Sequence, residues 1–255
     1  MITNWPLVFF TVFSQFATGL ALFSWWRDSH DSFRTPRGWY AATGAALVGL
    51  VASFVCYGGL ASGAMLLAQV GCAALLVLCA LALKASCPCV GLVAWLAGAV
   101  CVFGQIVNAI PGEVCSTSGM FPIFLFPLCT IILGAVFSQL GYLGQPVDHV
   151  KHPAGRFYLP LRICLWMMLV ITAIAPIMPW EDTYMARSAI ILMQTQLYWM
   201  GVIFSGVVLG LSHMGRVTLV LQAIVAFVSI FGLRTAFYAD GVHGIIDMST
   251  IYRPF

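Results

Sequence analysis

Residues 39–83 decide the fold, and they read WYAATGAALVGLVASFVCYGGLASGAMLLAQVGCAALLVLCALAL. This stretch contains no charged residue, and as a single helix it would be more than twice the roughly 20 residues that cross a bilayer. The segment Tyr57-Gly58-Gly59-Leu60-Ala61-Ser62-Gly63 interrupts it, and glycine accepts the positive φ values that a tight turn needs. We therefore predict two membrane-spanning helices joined by a hairpin turn at these glycines.

Apolar stretches of similar length fill the rest of the chain. They are continuous and do not alternate at every second residue, which predicts helices and not a β-barrel. The predicted spans are residues 6–26, 39–59, 62–83, 90–110, 119–143, 158–178, 186–211 and 217–239. The segments between them are too short for a separate soluble domain. The sequence therefore predicts an all-α, polytopic membrane bundle of eight transmembrane helices, with residues 1–255 as one integral membrane domain in the lipid bilayer.

The composition argues against other classes of protein. Hydrophobic residues make up 62% of the chain and charged residues 7%, whereas a soluble domain is about 25% charged. Such a high apolar content also excludes a disordered chain. The net charge of +3 forms no basic footprint, so we expect no nucleic-acid partner.

The distribution of Lys and Arg predicts how the bundle is oriented, because basic residues are enriched in cytoplasmic loops. If the N-terminus lies outside, the outer segments carry only Arg187 and Arg253. The inner loops then hold Arg27, Arg34, Arg37, Lys84, Lys151, Arg156 and Arg216. We therefore predict both termini on the outer side.

Charge is scarce within the predicted spans. All eight acidic residues lie outside them, whereas ion-coupled transporters usually place acids near the membrane midplane. This pattern disfavours ion-coupled transport but leaves open a facilitator with an uncharged lining. The basic residues within the spans are Arg162, Arg234 and Arg187, and Arg187 lies at the outer edge of its span. Arg234 either extends to the interface or faces the bundle near a bound head group.

The histidines and cysteines do not form a recognisable cofactor site. His213 and His243 flank the span 217–239, so roughly 35 Å of helix separates them. The other histidines lie in loops, and no membrane-embedded pair is placed to ligate haem. Cys87-Pro88-Cys89 is a pair in an inner loop, and two thiols alone cannot complete a four-ligand iron–sulfur or zinc site. We expect no haem and no metal in this chain.

One local pattern bears on helix packing. Gly206-Val207-Val208-Leu209-Gly210 matches the GxxxG motif of closely packed membrane helices. Because such matches are frequent in apolar helices, the motif is only a weak indicator of a helix contact.

Most remaining polar residues gather at the predicted outer end. If spans four and eight approach one another, their polar side chains could line a pocket for a head group. Quinol oxidation needs hydrogen-bond partners for two ring oxygens and a route for two protons. The alternative is that each residue merely hydrates a helix end. The residues concerned are Gln105, Asn108, Glu113, Arg234, Asp240 and His243.

The N-terminal segment is the most distinctive in the chain. It reads Asn4-Trp5-Pro6-Leu7-Val8-Phe9-Phe10-Thr11-Val12-Phe13-Ser14-Gln15, followed by Gly19. This segment resembles the opening of the membrane-anchor subunit of dimethyl sulfoxide reductase. Weaker similarities to the same family occur in Ala52-Ser53-Phe54-Val55-Cys56-Tyr57-Gly58, in Asn108-Ala109-Ile110 and in Gly232-Leu233-Arg234-Thr235-Ala236-Phe237-Tyr238.

The resemblance implies a fold and a function. It implies eight helices with both termini outside, in the bacterial inner (cytoplasmic) membrane, with residues 1–255 as a single membrane-anchor domain. It implies assembly with an iron–sulfur electron-transfer subunit and a molybdopterin catalytic subunit. Such an anchor binds menaquinol as a substrate and passes its electrons to the iron–sulfur subunit in anaerobic respiration. Whether the chain counts as a quinol-oxidising or a non-catalytic subunit stays open.

The chain departs from the family at three polar positions. Cys56-Tyr57-Gly58 replaces a His-Leu-Gly whose histidine is linked to quinol binding, Gly59 stands where an acid is usual, and Gln105 replaces an arginine. Either the site is rebuilt from other residues, or the chain is a structural anchor with an inactive quinone site. A polytopic transporter or facilitator is a further alternative. The candidate quinol-binding residues are Asn108, Glu113, Arg234, Asp240, His243, Gln105 and Cys56.

Overall fold

The fold comes from a computed structural model, which describes residues 5–30, 36–84, 87–109, 120–141, 153–174, 195–214 and 218–251. Side chains are described for the same ranges except residues 30, 120–122, 153–157 and 239–251. Within these ranges the regular structure is helical, with no strand. The helices are α1 (Trp5–His30), α2 (Arg37–Tyr57), α3 (Gly63–Lys84), α4 (Pro88–Ala109), α5 (Met120–Leu140), α6 (Pro153–Ile174), α7 (Gln196–Leu211) and α8 (Leu219–Ile251).

The predicted spans correspond to these helices. Within the described ranges, six helices are long and apolar enough to cross a membrane, namely α1 to α5 and α8. The apolar stretches Tyr158–Ile174 of α6 and Gln196–Leu211 of α7 are shorter. These lengths and compositions are those of a multi-pass membrane protein. The prediction of an all-α bundle is confirmed.

Three helices extend clearly beyond the predicted spans. Helix α1 continues to His30 and not to residue 26, α6 begins at Pro153 and not at residue 158, and α8 continues to Ile251 and not to residue 239. Hydropathy marks where apolar side chains stop, whereas a helix stops where its backbone hydrogen bonds end. The predicted start of span seven at residue 186 lies outside the described residues, since α7 is described from Gln196.

The hairpin predicted between spans two and three is confirmed. Gly58 ends α2 in the left-handed region with φ of 65°, and Gly63 begins α3 with φ of 59°. The side chain of Gln69 holds the turn, because it accepts a bond from the Ala61 N–H at 2.7 Å and donates to the Gly59 carbonyl at 3.2 Å. A buried amide therefore satisfies backbone groups that would otherwise be left without partners in an apolar environment.

Helix α1 lies at the centre of the bundle, where it packs against α2, α4, α5 and α8. One of its faces carries buried hydroxyl groups that bond to carbonyls one turn earlier. Thr11 donates to Leu7, Ser14 to Phe10 and Thr18 to Ser14. This local bonding satisfies the hydroxyl hydrogens, and the Ser14 oxygen also accepts a bond from Gln105 on α4.

Glycine pairs allow the closest helix crossings. A Cβ atom on Gly19 would lie 2.9 Å from the Cα atom of Gly134, so α1 and α5 touch through their backbones. A Cβ atom on Gly206 or Gly210 would meet no other atom within 4 Å. Within the described part of the chain, the GxxxG pair therefore makes no close helix contact. Close packing is set by which residues face a neighbour, which the spacing alone does not reveal.

The C-terminal end of α1 contacts α2 through Asp28. The Asp28 carboxylate accepts a hydrogen bond from the Trp39 indole N–H at 2.8 Å, and its other oxygen lies 3.7 Å from Nε of Arg27. Arg27 is buried, with 3% of its surface exposed. These contacts explain why α1 continues beyond its apolar stretch. We refer below to this end of the bundle as the Arg27 end and to the opposite end as the Trp5 end.

The close crossing at Gly19 makes a direct prediction. Gly19→Ala should destabilise the protein by about 1–3 kcal/mol, because the added methyl group overpacks the contact with α5. Gly44→Ala is the matched control, since a Cβ atom on Gly44 meets nothing within 4 Å. The control should be neutral or slightly stabilising, because alanine favours a helix. Thermal unfolding in detergent measures both variants, and equal midpoints would contradict the assigned crossing.

Candidate buried polar site

Arg234 of α8 lies inside the bundle and not at the interface. Only 3% of its surface is exposed. One terminal nitrogen donates to Oε1 of Gln15 on α1 at 2.8 Å, and the guanidinium carbon lies 3.5 Å from the centroid of the Phe126 ring on α5. Of the two interpretations of Arg234, the one in which it extends to the interface is therefore wrong. Arg162, by contrast, is half-buried and binds the Ser212 carbonyl at the Arg27 end.

Hydrogen bonds continue from Arg234 into α4. The Gln15 amide donates to Oε1 of Gln105 at 3.0 Å, and the Gln105 amide donates to Oγ of Ser14 at 2.6 Å. Ser14 in turn donates to the Phe10 carbonyl at 2.6 Å. We call Arg234, Gln15, Gln105 and Ser14 the Arg234 network. An arginine only donates, so its bond to Gln15 sets which amide atom of each glutamine accepts.

The Arg234 network shows how spans four and eight are connected. Gln15 of α1 joins Gln105 of α4 to Arg234 of α8. A glutamine side chain can do this because it carries both an acceptor and two donor hydrogens. Gln15 was not among the candidate site residues. Its position in an apolar span, on the same face as Thr11 and Thr18 one turn away on either side, is the signal that could have identified it.

The structure does not place the other candidate quinol-binding residues in the Arg234 network. Asn108 is exposed on α4, one turn beyond Gln105, and Cys56 is half-buried in the last turn of α2. Asp240 and His243 lie on α8 beyond Arg234, and their side chains are outside the description. Glu113 lies outside the described residues altogether. Among the candidates with described side chains, the structure brings together only Gln105 and Arg234.

Aromatic rings surround the Arg234 network. Phe126 receives the guanidinium on its face and meets Phe237 edge-on at 6.1 Å between ring centroids. Toward the Trp5 end, Trp5 stacks on Phe231 at 6.0 Å, and Phe9 packs against the same ring at 5.4 Å. Flat apolar surfaces next to fixed hydrogen-bond donors are suited to a planar ring that carries polar oxygens.

The charge of Arg234 has no acidic partner among the described side chains. An ion pair among the described side chains joins Arg27 and Asp28, but it lies at the Arg27 end of the bundle. The Nε atom of Arg234 is buried and has no hydrogen-bond partner in the described part of the chain. Among the described residues, a neutral amide and an aromatic ring hold this guanidinium, which therefore keeps the capacity to stabilise an electronegative atom.

The chemistry of the Arg234 network is that of binding and orientation. Guanidinium, amide and hydroxyl groups hold a polar atom in place, but they do not accept a proton near neutral pH. A proton acceptor would have to come from other residues. No group of three or more His, Cys, Asp or Glu side chains that could hold a metal ion occurs in the described part of the chain.

No protein-family model matches the chain, and no curated protein is similar enough to it in sequence to count as a match. The resemblance to the membrane-anchor family therefore depends on the quoted segments. Two of those segments supply Gln15 and Arg234, which lie far apart in sequence and form a hydrogen bond.

The bond between Gln15 and Arg234 makes a stability prediction. Gln15→Leu should destabilise the protein by roughly 3–5 kcal/mol, because it leaves a buried charge without its acceptor. Adding Arg234→Met should recover much of that loss, since it removes the charge itself. Unfolding of the two single variants and the double variant in detergent measures the coupling. If the two single effects simply add, the charge is not held by Gln15.

Proposed function

We propose that this chain is the membrane anchor of a multi-subunit molybdopterin oxidoreductase, where it binds menaquinol and passes its electrons to an iron–sulfur subunit. The observation that carries this proposal is the 2.8 Å bond between Gln15 and Arg234. Each residue belongs to a different segment that resembles the anchor family. Their meeting in one buried polar site supports a shared function better than either segment does alone.

The Arg234 network has the donors that a quinol head group requires. Arg234 supplies a cation and an Nε–H without a hydrogen-bond partner among the described residues. Gln105 supplies an amide where the family has an arginine. Phe126 and the aromatic rings near Trp5 provide apolar surface for the ring and its hydrocarbon tail.

Protons released from quinol need acceptors outside the Arg234 network. Asp240 and His243 follow Arg234 on α8, and Glu113 follows α4 in the sequence. All three belong to the candidate set, and carboxylate and imidazole groups accept protons near neutral pH. We propose that they carry protons to the outer face. We further propose that both termini lie on the outer side and that the protein resides in the bacterial inner membrane.

Quinol oxidation by the intact complex tests the site. Arg234→Gln should slow it roughly 10- to 100-fold, because a hydrogen bond to a charged group contributes about 1.5–3 kcal/mol. Activity with an artificial donor that bypasses the membrane subunit should be unchanged.

Arg162→Gln is the matched control, since it removes an arginine from α6 that binds Ser212 and not the Arg234 network. It should leave quinol oxidation unchanged at equal subunit levels in the membrane. Unchanged quinol kinetics in Arg234→Gln would remove this residue from the quinol site. If the native complex is active with the artificial donor but does not oxidise quinol, the chain is a structural anchor instead.

Copurification tests the assembly. A tagged chain isolated gently from native membranes should bring down a ferredoxin-like iron–sulfur subunit and a molybdopterin subunit in defined stoichiometry. Stable isolation of the chain alone would contradict the proposal. Solute uptake by liposomes that contain only this chain would support a facilitator.

A further inference from the structure

An open apolar groove lies on the surface of the bundle at the Trp5 end, between α1 and α2. Its volume is about 520 Å³, which is within the range of sites that hold small organic ligands. The walls of this groove, which we call the α1–α2 groove, include Trp5, Phe9, Leu47, Val48, Val51 and Val55.

The spacing of side chains along the two helices builds the α1–α2 groove. Val48, Val51 and Val55 recur every three or four residues, so they share one face of α2, and all three are exposed. Beside them, α2 packs closely on α1, because a Cβ atom on Gly49 would lie 3.1 Å from the Ser14 backbone nitrogen. The groove therefore has walls that are fixed by helix packing and an open side that faces lipid.

The α1–α2 groove adjoins the Arg234 network through two shared aromatic rings. Trp5 and Phe9 line the groove and also contact Phe231 of α8, at 6.0 Å and 5.4 Å between ring centroids. Phe231 lies one helical turn before Arg234. Along α1, Phe9 and Gln15 are six residues apart, which corresponds to roughly 9 Å. A molecule with a polar ring beside Arg234 therefore has an apolar binding surface close by.

The lining of the α1–α2 groove is suited to a hydrocarbon chain. No lysine, arginine or acidic residue lines it. A phospholipid brings an anionic phosphate, for which the groove residues offer no cation. The Arg234 network, by contrast, offers hydrogen-bond donors to a polar ring next to the groove. This combination fits a molecule that carries one polar ring on a long apolar chain.

We propose that the α1–α2 groove holds the isoprenoid tail of the quinol whose ring binds beside Arg234. This inference rests on the proposed function and adds a specificity for quinols with a long tail. The tail lies along the valine face of α2 and is stabilised by dispersion contacts. A groove whose side chains are already ordered by packing binds such a tail at a lower entropic cost than a mobile surface would.

A comparison of two quinols in the intact complex tests the tail site. Menaquinol carries the tail, whereas menadiol has the same ring without it. Val51→Trp and, as an independent variant, Val48→Trp each place an indole ring at the groove. In each variant the KM for menaquinol, divided by the KM for menadiol, should rise roughly tenfold, because the displaced tail loses its contacts.

Val77→Trp is the matched control, since it makes the same substitution at an exposed valine of α3 outside the groove. It should leave the KM ratio at its native value, at equal subunit levels in the membrane. A second measurement does not depend on turnover. After purification in mild detergent, mass spectrometry should find less menaquinone per complex in Val51→Trp than in the native complex, and an unchanged amount in Val77→Trp.

The outcomes separate this proposal from the proposed function. If the native complex oxidises both quinols and both groove variants keep the native KM ratio, the tail site is overturned and the proposed function stands. If Val51→Trp loses a bound phospholipid and retains menaquinone, the groove holds a lipid chain and the tail site is again overturned. A native complex that oxidises neither quinol would contradict the proposed function and this inference with it.

Discussion

A guanidinium inside an apolar bundle needs hydrogen-bond acceptors, because an isolated buried charge costs several kcal/mol. Arg234 finds its acceptor in Gln15, a neutral amide, and its charge rests on the face of Phe126. This requirement places α8 against α1 with a fixed register and sets the orientation of the Gln15 amide. Gln15 then sets the orientation of Gln105 on α4. Helices from both halves of the chain are thus joined through one charge.

The position of α1 follows from the same constraint. A helix that carries Gln15 and several hydroxyl groups is poorly suited to face lipid, and it is surrounded by α2, α4, α5 and α8. Close approach to α5 depends on Gly19 and Gly134, where no side chain separates the backbones. In lipid there is no hydrophobic drive between apolar helices, so close packing and hydrogen bonds hold the bundle together. The buried face of α1 accordingly carries Thr11, Ser14, Gln15 and Thr18.

Much of the fold could be predicted from the sequence, because hydropathy reports the length of each span and glycines mark the turn at 58–63. The site could be predicted only in part. Gln105 and Arg234 were identified because charge and amide groups are conspicuous in apolar spans. Gln15 is also an amide in an apolar span, but it was missed because the sequence does not show which neighbouring helices its face meets. The long continuation of α8 beyond residue 239 was missed for a related reason, since helices can extend past their apolar segment.

We propose that a quinone ring binds beside Arg234. Photolabelling with an azide-bearing menaquinone analogue tests this claim most directly, in membranes that contain the native complex. The labelled peptides should contain Gln15, Phe126 or residues 231–238, and an excess of unlabelled quinone should displace the label. Label confined to exposed apolar residues such as Val77 and Leu96, with no displacement by unlabelled quinone, would contradict the account.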